Sequence, residues 1–195
     1  MAPTLVKPTV SIGPGYILRA ALGSAEPSNT VSGSKFTDSW DPAWVVQGAT
    51  NEGNVWSYQT NVEGVMAAEY FDALSWETES REGTFAFAML HISARSIITA
   101  HNGGSTTTSG SGATLKTEVE PPDPGSEVRC MLGWESRDGT ERLILRQCFQ
   151  GGQVQITRNK GAGNKAMIPV EFKLELPDTG LKLWKHSFAG TARGL

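Results

Sequence analysis

The most informative part of this sequence is residues 51–104, which read NEGNVWSYQTNVEGVMAAEYFDALSWETESREGTFAFAMLHISARSIITAHNGG. The start of this stretch predicts a β-hairpin in which strands over 44–49 and 55–59 flank a three-residue loop. Gly53 ends that loop, where a left-handed backbone is needed. Aromatic side chains alternate along both predicted strands and fall on one shared face. We therefore expect a half-buried hairpin at this point of the fold.

Three more strands and one helix are predicted after the hairpin. Strands over 65–71 and 74–79 are followed by one over 84–90 that is apolar on both faces, which is typical of a strand in the middle of a fold. Ser93 is expected to cap the helix, and Asn102-Gly103 is expected to end it in a left-handed turn. A single short helix among many strands narrows the fold to a few architectures.

A second hairpin is centred on Asp138-Gly139, a favoured two-residue turn. The pairs that it predicts are Trp134 with Leu143, Leu132 with Leu145, Cys130 with Gln147 and Val128 with Phe149. Nearly every apolar residue then lies on one face, which supports this register. In the same register Cys148 lies on the opposite face from Cys130, so we do not expect a disulfide between them.

The predicted fold is mainly β, of the α+β class. Residues 1–13 show no periodic pattern and are expected to form an extended arm, whereas residues 14–195 are expected to form one β-sandwich domain. That sandwich would have two antiparallel sheets flanked by the short helix. Loop 23–42 is too long for an ordinary connection, and residues 103–113, rich in Ser, Thr and Gly, are expected to form a flexible loop.

Composition and charge argue against several functional classes. The 195-residue chain has a net charge of −3, whereas nucleic-acid binding needs a basic surface. The first residues lack the apolar core of a signal peptide, and no run is long enough to span a bilayer, so we expect a soluble protein made in the cytoplasm. The two cysteines have no metal or redox spacing, and we expect no cofactor or metal.

The sequence offers poor candidates for catalysis. His91, His101 and His186 lack the spacing of a second ligand or a base, and a lone histidine at a helix end is usually a capping or core residue. The carboxylates that could include an acid/base pair of the glycosidase type are Glu69, Asp72, Glu77 and Glu79. Solvated strand edges explain these carboxylates more simply. We therefore expect no enzymatic activity.

Two features favour assembly instead. Short strands with one buried face imply sheets whose open edges invite pairing with another chain. Head-to-tail contacts of this kind close into a ring when the rotation permits. The N-terminal arm and loop 23–42 have no evident role within the chain. Phe36 and Trp40 of the loop are expected to dock onto something, either their own domain or a neighbouring subunit.

Four stretches of the sequence carry a resemblance to a known family. They are Gly48-Ala49-Thr50-Asn51-Glu52-Gly53, Ala67-Ala68-Glu69-Tyr70-Phe71-Asp72, Thr84-Phe85-Ala86-Phe87-Ala88-Met89-Leu90 and Thr99-Ala100-His101-Asn102-Gly103-Gly104. In this order they resemble the major tail (tail tube) proteins of long-tailed, non-contractile bacteriophages, especially those of actinobacteria. The resemblance extends from residues 16–20 to residues 188–191, and its motifs are patterns of packing and turns.

The resemblance implies a β-sandwich whose inner sheet joins those of other subunits into a barrel that spans a hexameric ring. Stacked rings would form the phage tail tube, the conduit for DNA ejection into the host. Expected partners are other copies of this chain, the tape measure protein, the tail terminator and the baseplate or distal tail proteins. DNA would be present only in transit, and no membrane would be involved. The protein would be made in the host cytoplasm and reside in the virion.

The resemblance and the strand patterns together give two sets of candidate site residues. Those expected at contacts between subunits or rings are Pro3, Leu5, Val6, Pro8, Phe36, Trp40, Arg129, Arg142 and Arg146. The lumen is expected to be lined either by the strand face that bears Glu118 and Glu120 or by the one that bears Glu171 and Glu175, because acidic side chains let the DNA polyanion slide past.

A monomeric β-sandwich module that binds carbohydrate or protein is the alternative interpretation, and it rests on the six tryptophans. Such a module exposes a planar aromatic row. The predicted hairpin instead turns Trp44 and Trp56 to a shared, buried face, which favours core packing.

Overall fold

The computed structural model describes residues 15–66, 68–156, 158, 166–178 and 180–190. The predicted arm at 1–13 therefore lies outside the described residues. The elements are strands β1 Tyr16–Ala21, β2 Val31–Ser32, β3 Lys35–Phe36, β4 Val45–Val46, β5 Thr50–Val65, β6 Ser75–Met89, β7 Ser105–Ser109, β8 Lys116–Glu120, β9 Cys130–Glu135, β10 Glu141–Gln150, β11 Ile168–Leu174 and β12 Trp184–Phe188, helix α1 Ala94–Ala100, and a 3-10 turn Gly112–Thr114.

Eight strands form one antiparallel sheet in the order β4-β1-β9-β10-β11-β6-β5, and β12 pairs with β10 beside this path. Strand β10 pairs with different strands along its length: Glu141–Leu145 pair with β12, and Cys148–Gln150 pair with β11. It therefore joins two halves of the sheet. The fold is thus mainly β with one short helix, as predicted. Its antiparallel sheets are consistent with a β-sandwich.

The main core lies on one face of this sheet and is closed by the helix. It includes Phe85, Leu132, Leu145 and Phe172, all of which are almost completely buried. Strand β6 is paired on both sides over Thr84–Met89, which confirms the prediction of an interior strand at 84–90. Alternate burial along β11 follows the same period of two residues.

Helix α1 begins and ends where the sequence predicts. The Ser93 hydroxyl accepts a hydrogen bond from the Ser96 backbone N–H at 3.3 Å. Asn102, with φ of +56°, ends the helix in the left-handed region, and its side-chain amide donates to the Gln150 carbonyl at 2.7 Å. Asn102 therefore also ties the helix end to strand β10.

Loop 23–42 covers the second face of strands β1, β9 and β10. There Trp44 packs with Leu18, Met131 and Ile144 in a second buried cluster, and the rings of Trp40 and Trp44 meet edge to face at 4.8 Å. The loop also contains the small β2–β3 hairpin. Phe36 and Trp40 were expected to dock either onto their own domain or onto a neighbouring subunit. In the described structure they pack against their own domain.

Arg142 of strand β10 anchors loop 23–42 to the sheet. Its side chain is 2% exposed and lies against the rings of Phe36 and Trp40, with its carbon Cζ at 4.7 and 5.5 Å from the ring centroids. It donates to Asp38 Oδ1 at 3.0 Å and to the Asp38 carbonyl at 2.7 Å. Trp40 in turn donates through Nε1 to Glu135. A buried guanidinium with these partners fixes the loop, since removing one partner would leave a charge unpaired.

Arg146 holds the start of the same loop. Its guanidinium donates to Glu26 Oε1 at 2.5 Å and to Glu26 Oε2 at 3.2 Å. These hydrogen bonds and the charge of Arg146 outweigh the effect of burial and keep the pKa of Glu26 below its ordinary value of 4.5. Burial raises the pKa of Asp38, but the hydrogen bond from the Asn29 backbone N–H and the charge of Arg142 lower it by more, so the pKa lies below its ordinary value of 3.8.

The predicted hairpin of strands 44–49 and 55–59 is wrong. Residues 50–65 form one continuous strand that pairs with β6, and Val45–Val46 pair with β1 instead. Gly53, with φ of +88°, lies in a β-bulge where the register shifts between Asn51 and Asn54. The same positive φ serves a turn or a bulge, so the glycine alone does not distinguish the two.

The strand predicted at 65–71 is wrong, because β5 ends at Val65 and β6 begins at Ser75. The strand predicted at 74–79 is confirmed from Ser75 onwards, but it continues without a break into the strand predicted at 84–90. Residues 103–113, expected as a flexible loop, include strand β7, which pairs with β8 in an exposed two-stranded ribbon. Threonine and serine have enough β-propensity and cross-strand hydrogen bonding to form such a ribbon.

The turn at Asp138-Gly139 and the first two predicted pairs are confirmed. The register of β9 and β10 then shifts, because Arg146 and Gln147 together oppose Met131. The predicted pair of Cys130 with Gln147 is therefore wrong, and Cys130 lies opposite Cys148.

Replacing Gly133 with alanine tests the packing of loop 23–42 on the sheet. A Cβ there would lie 2.6 Å from a Trp40 ring carbon and 3.0 Å from a Trp44 ring carbon. We expect Gly133→Ala to lower the free energy of unfolding by about 1–3 kcal/mol, measured by urea titration. Gly151→Ala is the control, since its Cβ would meet only the flexible Lys173 stem. Equal losses in the two variants would contradict this packing.

Acidification should weaken the attachment of loop 23–42. Glu26 has a lowered pKa in the folded protein, so its contribution to stability is complete above pH 4.5 and is lost as the pH falls through the lower folded value. The wild type should have a higher melting temperature than Glu26→Gln at pH 7. This difference should shrink towards zero as the pH falls below 4.5 and through the lower pKa of Glu26 in the folded protein. A difference that stays constant to pH 3 would show that the ion pair does not stabilise the fold.

Candidate assembly surface

Strands β5 and β6 form a long hairpin that extends beyond the rest of the sheet. Strand β11 supports β6 only over Thr84–Met89, and β6 pairs with β5 all the way to Ser75 opposite Val65. At about 3.3 Å per residue, the unsupported part over residues 58–65 projects roughly 25 Å. Isolated two-stranded hairpins are marginally stable in water, so this projection is suited to completion by another chain.

The outer part of the hairpin exposes large apolar side chains. Phe71 is 103% exposed, and Trp76, Met66 and Tyr70 are each more than half exposed. The exposed apolar residues of the segment are Val62, Val65, Met66, Tyr70, Phe71, Leu74 and Trp76. Such a concentration of apolar surface around one tip is typical of a protein interaction site. We name residues 62–76 the hairpin tip.

The hairpin is acidic as well as apolar. Between Asn61 and Ser80 the sequence contains five carboxylates and no lysine or arginine. They are Glu63, Glu69, Asp72, Glu77 and Glu79, and all are exposed. Glu63 lies directly opposite Glu77, a like-charge pair that costs stability in the free chain. A partner surface with basic side chains would relieve this repulsion.

Aromatic side chains hold the base of the hairpin. Trp56 and Tyr58 stack on β5 with ring centroids 6.1 Å apart, and both meet Trp184 of β12 edge to face, at 6.1 and 5.8 Å. This cluster fixes the hairpin against the sheet half that carries β12. The hairpin therefore emerges from a fixed base, and its tip carries no comparable contacts among the described residues.

The face of β5, β6 and β11 opposite the core is polar. Cross-strand register aligns Ser57 with Thr84 and Lys173, and Gln59 with Glu82. We name this surface the polar sheet face; it comprises Val55, Ser57, Gln59, Asn61, Ser80, Glu82, Thr84, Ala86, Ala88, Pro169, Glu171 and Lys173, and Val55 is its one exposed large apolar residue among those described. Its side chains are mostly short and uncharged, and it carries two carboxylates against one ammonium group. Such a surface offers little to hold a polyanion.

The structure separates the four candidate lumen carboxylates. Glu171 lies on the polar sheet face and is exposed. Glu175 is half-buried and accepts a hydrogen bond from Arg129 Nε at 3.1 Å. Glu118 and Glu120 lie on the exposed β7–β8 ribbon, a separate two-stranded sheet. The two predicted faces are therefore separate surfaces: Glu118 and Glu120 share the ribbon, whereas Glu171 lies on the polar sheet face and Glu175 lies just past the end of β11.

The structure places the described interface candidates in contacts within the chain. Phe36 and Trp40 of loop 23–42 pack on Arg142 of strand β10. Arg146 holds Glu26, and Arg129 lies over the Phe149 ring at 4.6 Å. Contacts of these residues between subunits stay a prediction, and those of Pro3, Leu5, Val6 and Pro8 lie outside the described residues. Sequence reasoning missed the hairpin tip, although the apolar and acidic composition of residues 62–76 was a signal for it.

The candidate catalytic groups have structural partners or lie in solvent. His101 Nδ1 contacts the Ile97 carbonyl at 2.8 Å, and His186 Nε2 lies 2.7 Å from Glu141 Oε1. His91 is exposed beside the helix start. In the described part of the chain, no three His, Cys, Asp or Glu residues are placed to hold a metal ion. Helix α1, the one α-helix described, is far too short to cross a membrane.

Comparisons with other proteins leave the family of this chain open. Neither a scan against protein-family models nor a search of curated proteins finds a match to it.

Polar substitutions at the hairpin tip should separate assembly from folding. We expect Tyr70→Ser/Phe71→Ser to change the free energy of unfolding of the monomer by less than about 0.5 kcal/mol, since both side chains are exposed. The concentration at which sedimentation velocity detects oligomers should rise at least about tenfold. The matched control is Leu115→Ser, an exposed apolar site next to β8. An unchanged oligomerisation curve in the tip variant would exclude the tip as an interface.

Proposed function

We propose that this protein is a structural subunit of a phage tail tube, in which hexameric rings of the chain stack to form the conduit for DNA ejection. The observation that carries the proposal is the β5–β6 hairpin, which projects bare from the sheet with an apolar, acidic tip. A free monomer has no use for this surface and is exposed to aggregation by it. The resemblance of four ordered motifs to tail tube proteins agrees with the same function.

The sheet edges suit closure into a ring. Strand β5 is a terminal strand of the main sheet and presents a long open edge, whereas β4 at the other end has only two residues. Such unequal edges favour a head-to-tail contact, because one subunit's long edge meets a different surface of the next. In the proposed ring, the β5, β6 and β11 sheets of six subunits continue into one barrel, which removes the open edges.

The polar sheet face is the proposed lining of that barrel. A duplex passing through a tube must not bind its wall, and binding arises mainly from basic side chains that displace counterions. The polar sheet face has one ammonium group, Lys173, against Glu82 and Glu171, and otherwise short neutral side chains. Glu171 is retained from the candidate lumen residues. Glu118 and Glu120 are assigned elsewhere because they lie on the separate β7–β8 ribbon, and Glu175, just past the end of β11, is paired with Arg129.

The hairpin tip is the proposed contact with a neighbouring subunit or the next ring. Partners at the ends of the tube would be the tail terminator and the baseplate or distal tail proteins, and the tape measure protein would occupy the lumen before ejection. The location is the virion, with DNA present only in transit. These assignments follow from the resemblance and from the proposed assembly.

Cysteine labelling of assembled protein tests which face lines the tube. Ser57→Cys places one exposed thiol on the polar sheet face, while Cys130 and Cys148 are buried and protected. In the free subunit a small maleimide and a maleimide on a long polyethylene glycol chain should both react. In the tube only the small reagent should react fully, because the lumen hinders the polymer. Equal reaction of both reagents in the tube would place this face outside.

A further inference from the structure

The β-bulge in strand β10 brings the two cysteines of the chain together. Arg146 and Gln147 together oppose Met131, so Cys148 becomes the direct partner of Cys130. Residues directly opposite in an antiparallel pair have Cα atoms about 4.5–5.5 Å apart, which is within the range that a disulfide spans. The register thus provides the backbone separation that a cross-strand disulfide requires.

Both thiols face the same core. Cys130 and Cys148 belong to one buried cluster, with exposures of 2% and 0%, and both are free thiols. Their side chains therefore lie on the same side of the strand pair, as bridging requires. Burial closes the pair to bulky reagents, so an oxidant that reaches the pair must be small and neutral.

Arg19 makes one of the two thiols the better nucleophile. It lies on β1 opposite Leu132, two positions along β9 from Cys130. Burial raises the pKa of Cys130, and the charge of Arg19 opposes that rise. Burial and the nearby Cys130 raise the pKa of Cys148 well above its ordinary value. Within the described residues, Arg19 Nε is buried without a hydrogen-bond partner, and a Cys130 thiolate or sulfenate would supply one.

We propose that Cys130 and Cys148 are an oxidation site at which a small peroxide forms a cross-strand disulfide. The Cys130 thiolate attacks one peroxide oxygen, an S–O bond forms, the O–O bond breaks, and the departing hydroxide takes up the released proton as water. Cys148 then attacks the Cys130 sulfur, an S–S bond forms, the S–O bond breaks, and a second water leaves with the Cys148 proton. Two thiols are oxidised, and one hydrogen peroxide is reduced to two waters.

This inference does not rest on the proposed tube function. It requires only the register of β9 and β10 and the position of Arg19. The disulfide would join two central strands next to the bulge and should raise the melting temperature by several degrees, because the unfolded chain loses freedom.

Peptide mapping after peroxide treatment tests the site. The folded protein is treated with hydrogen peroxide, and catalase then removes the excess peroxide. The protein is unfolded in denaturant that contains iodoacetamide, which alkylates the remaining thiols, and is digested for mass spectrometry. The expected product links the Cys130 and Cys148 peptides and is two hydrogen atoms lighter than their sum. Sulfoxide at exposed Met66 is the internal control that peroxide was active. Two alkylated cysteines beside oxidised Met66, or separate sulfinic acids, would overturn the proposal.

Two variants test the roles of the residues. In Cys148→Ser, Cys130 has no resolving thiol and should accumulate a sulfenic acid, which dimedone traps when the treated protein is unfolded in its presence. In Arg19→Met, the rate of disulfide formation should fall severalfold while the linked product is unchanged. The variant Cys130→Ser leaves Cys148 as the one remaining thiol. If its dimedone adduct forms as fast as the Cys130 adduct in Cys148→Ser, the assigned order of attack is contradicted. An unchanged rate in Arg19→Met would remove Arg19 from the mechanism.

Discussion

A β-bulge in the middle of strand β10 shapes the rest of this structure. Because Arg146 and Gln147 oppose a single residue of β9, the two ends of β10 meet different neighbours, β12 at one end and β11 at the other. The sheet thereby divides into two halves that enclose the main core. The same bulge lies where Arg146 meets Glu26 and where Cys130 meets Cys148. One extra residue in one strand thus places the thiols opposite each other and supplies the arginine that holds the start of loop 23–42.

The two ends of the main sheet have opposite character. Around β1, β9 and β10 both faces are covered, one by the core and the other by a loop that Arg142 and Arg146 anchor. Around β5 and β6 the strands continue past their support and end in apolar, acidic residues that nothing in the described chain covers. The end at β1, β9 and β10 is buried on both faces, whereas the end at β5 and β6 carries the exposed apolar surface. This polarity is what a head-to-tail assembly requires, since the free end of one subunit needs a different surface on the next.

Local signals in the sequence predict the local parts of this fold well. The Ser93 cap, the Asp138-Gly139 turn and the strand over 84–90 each depend on a few neighbouring residues, and each is confirmed. The hairpin was divided into separate strands because Gly53 suits a turn and a bulge equally. Arg142 looked like an exposed interface residue because its partner Asp38 lies 104 positions away. Glu171 lies on the polar sheet face, and its role there stays a prediction. The sequence does not single out the hairpin tip, since its apolar residues resemble those of an ordinary strand.

The central claim is that the β5–β6 hairpin is completed by a second copy of this chain. Electron microscopy of the purified protein across a concentration series tests this most directly, at a resolution that traces the hairpin. We predict rings or hollow tubes in which residues 62–76 of each subunit are covered by a neighbour and the polar sheet face lines the lumen. A monomer at every concentration, or an assembly in which the hairpin tip stays in solvent, would contradict it.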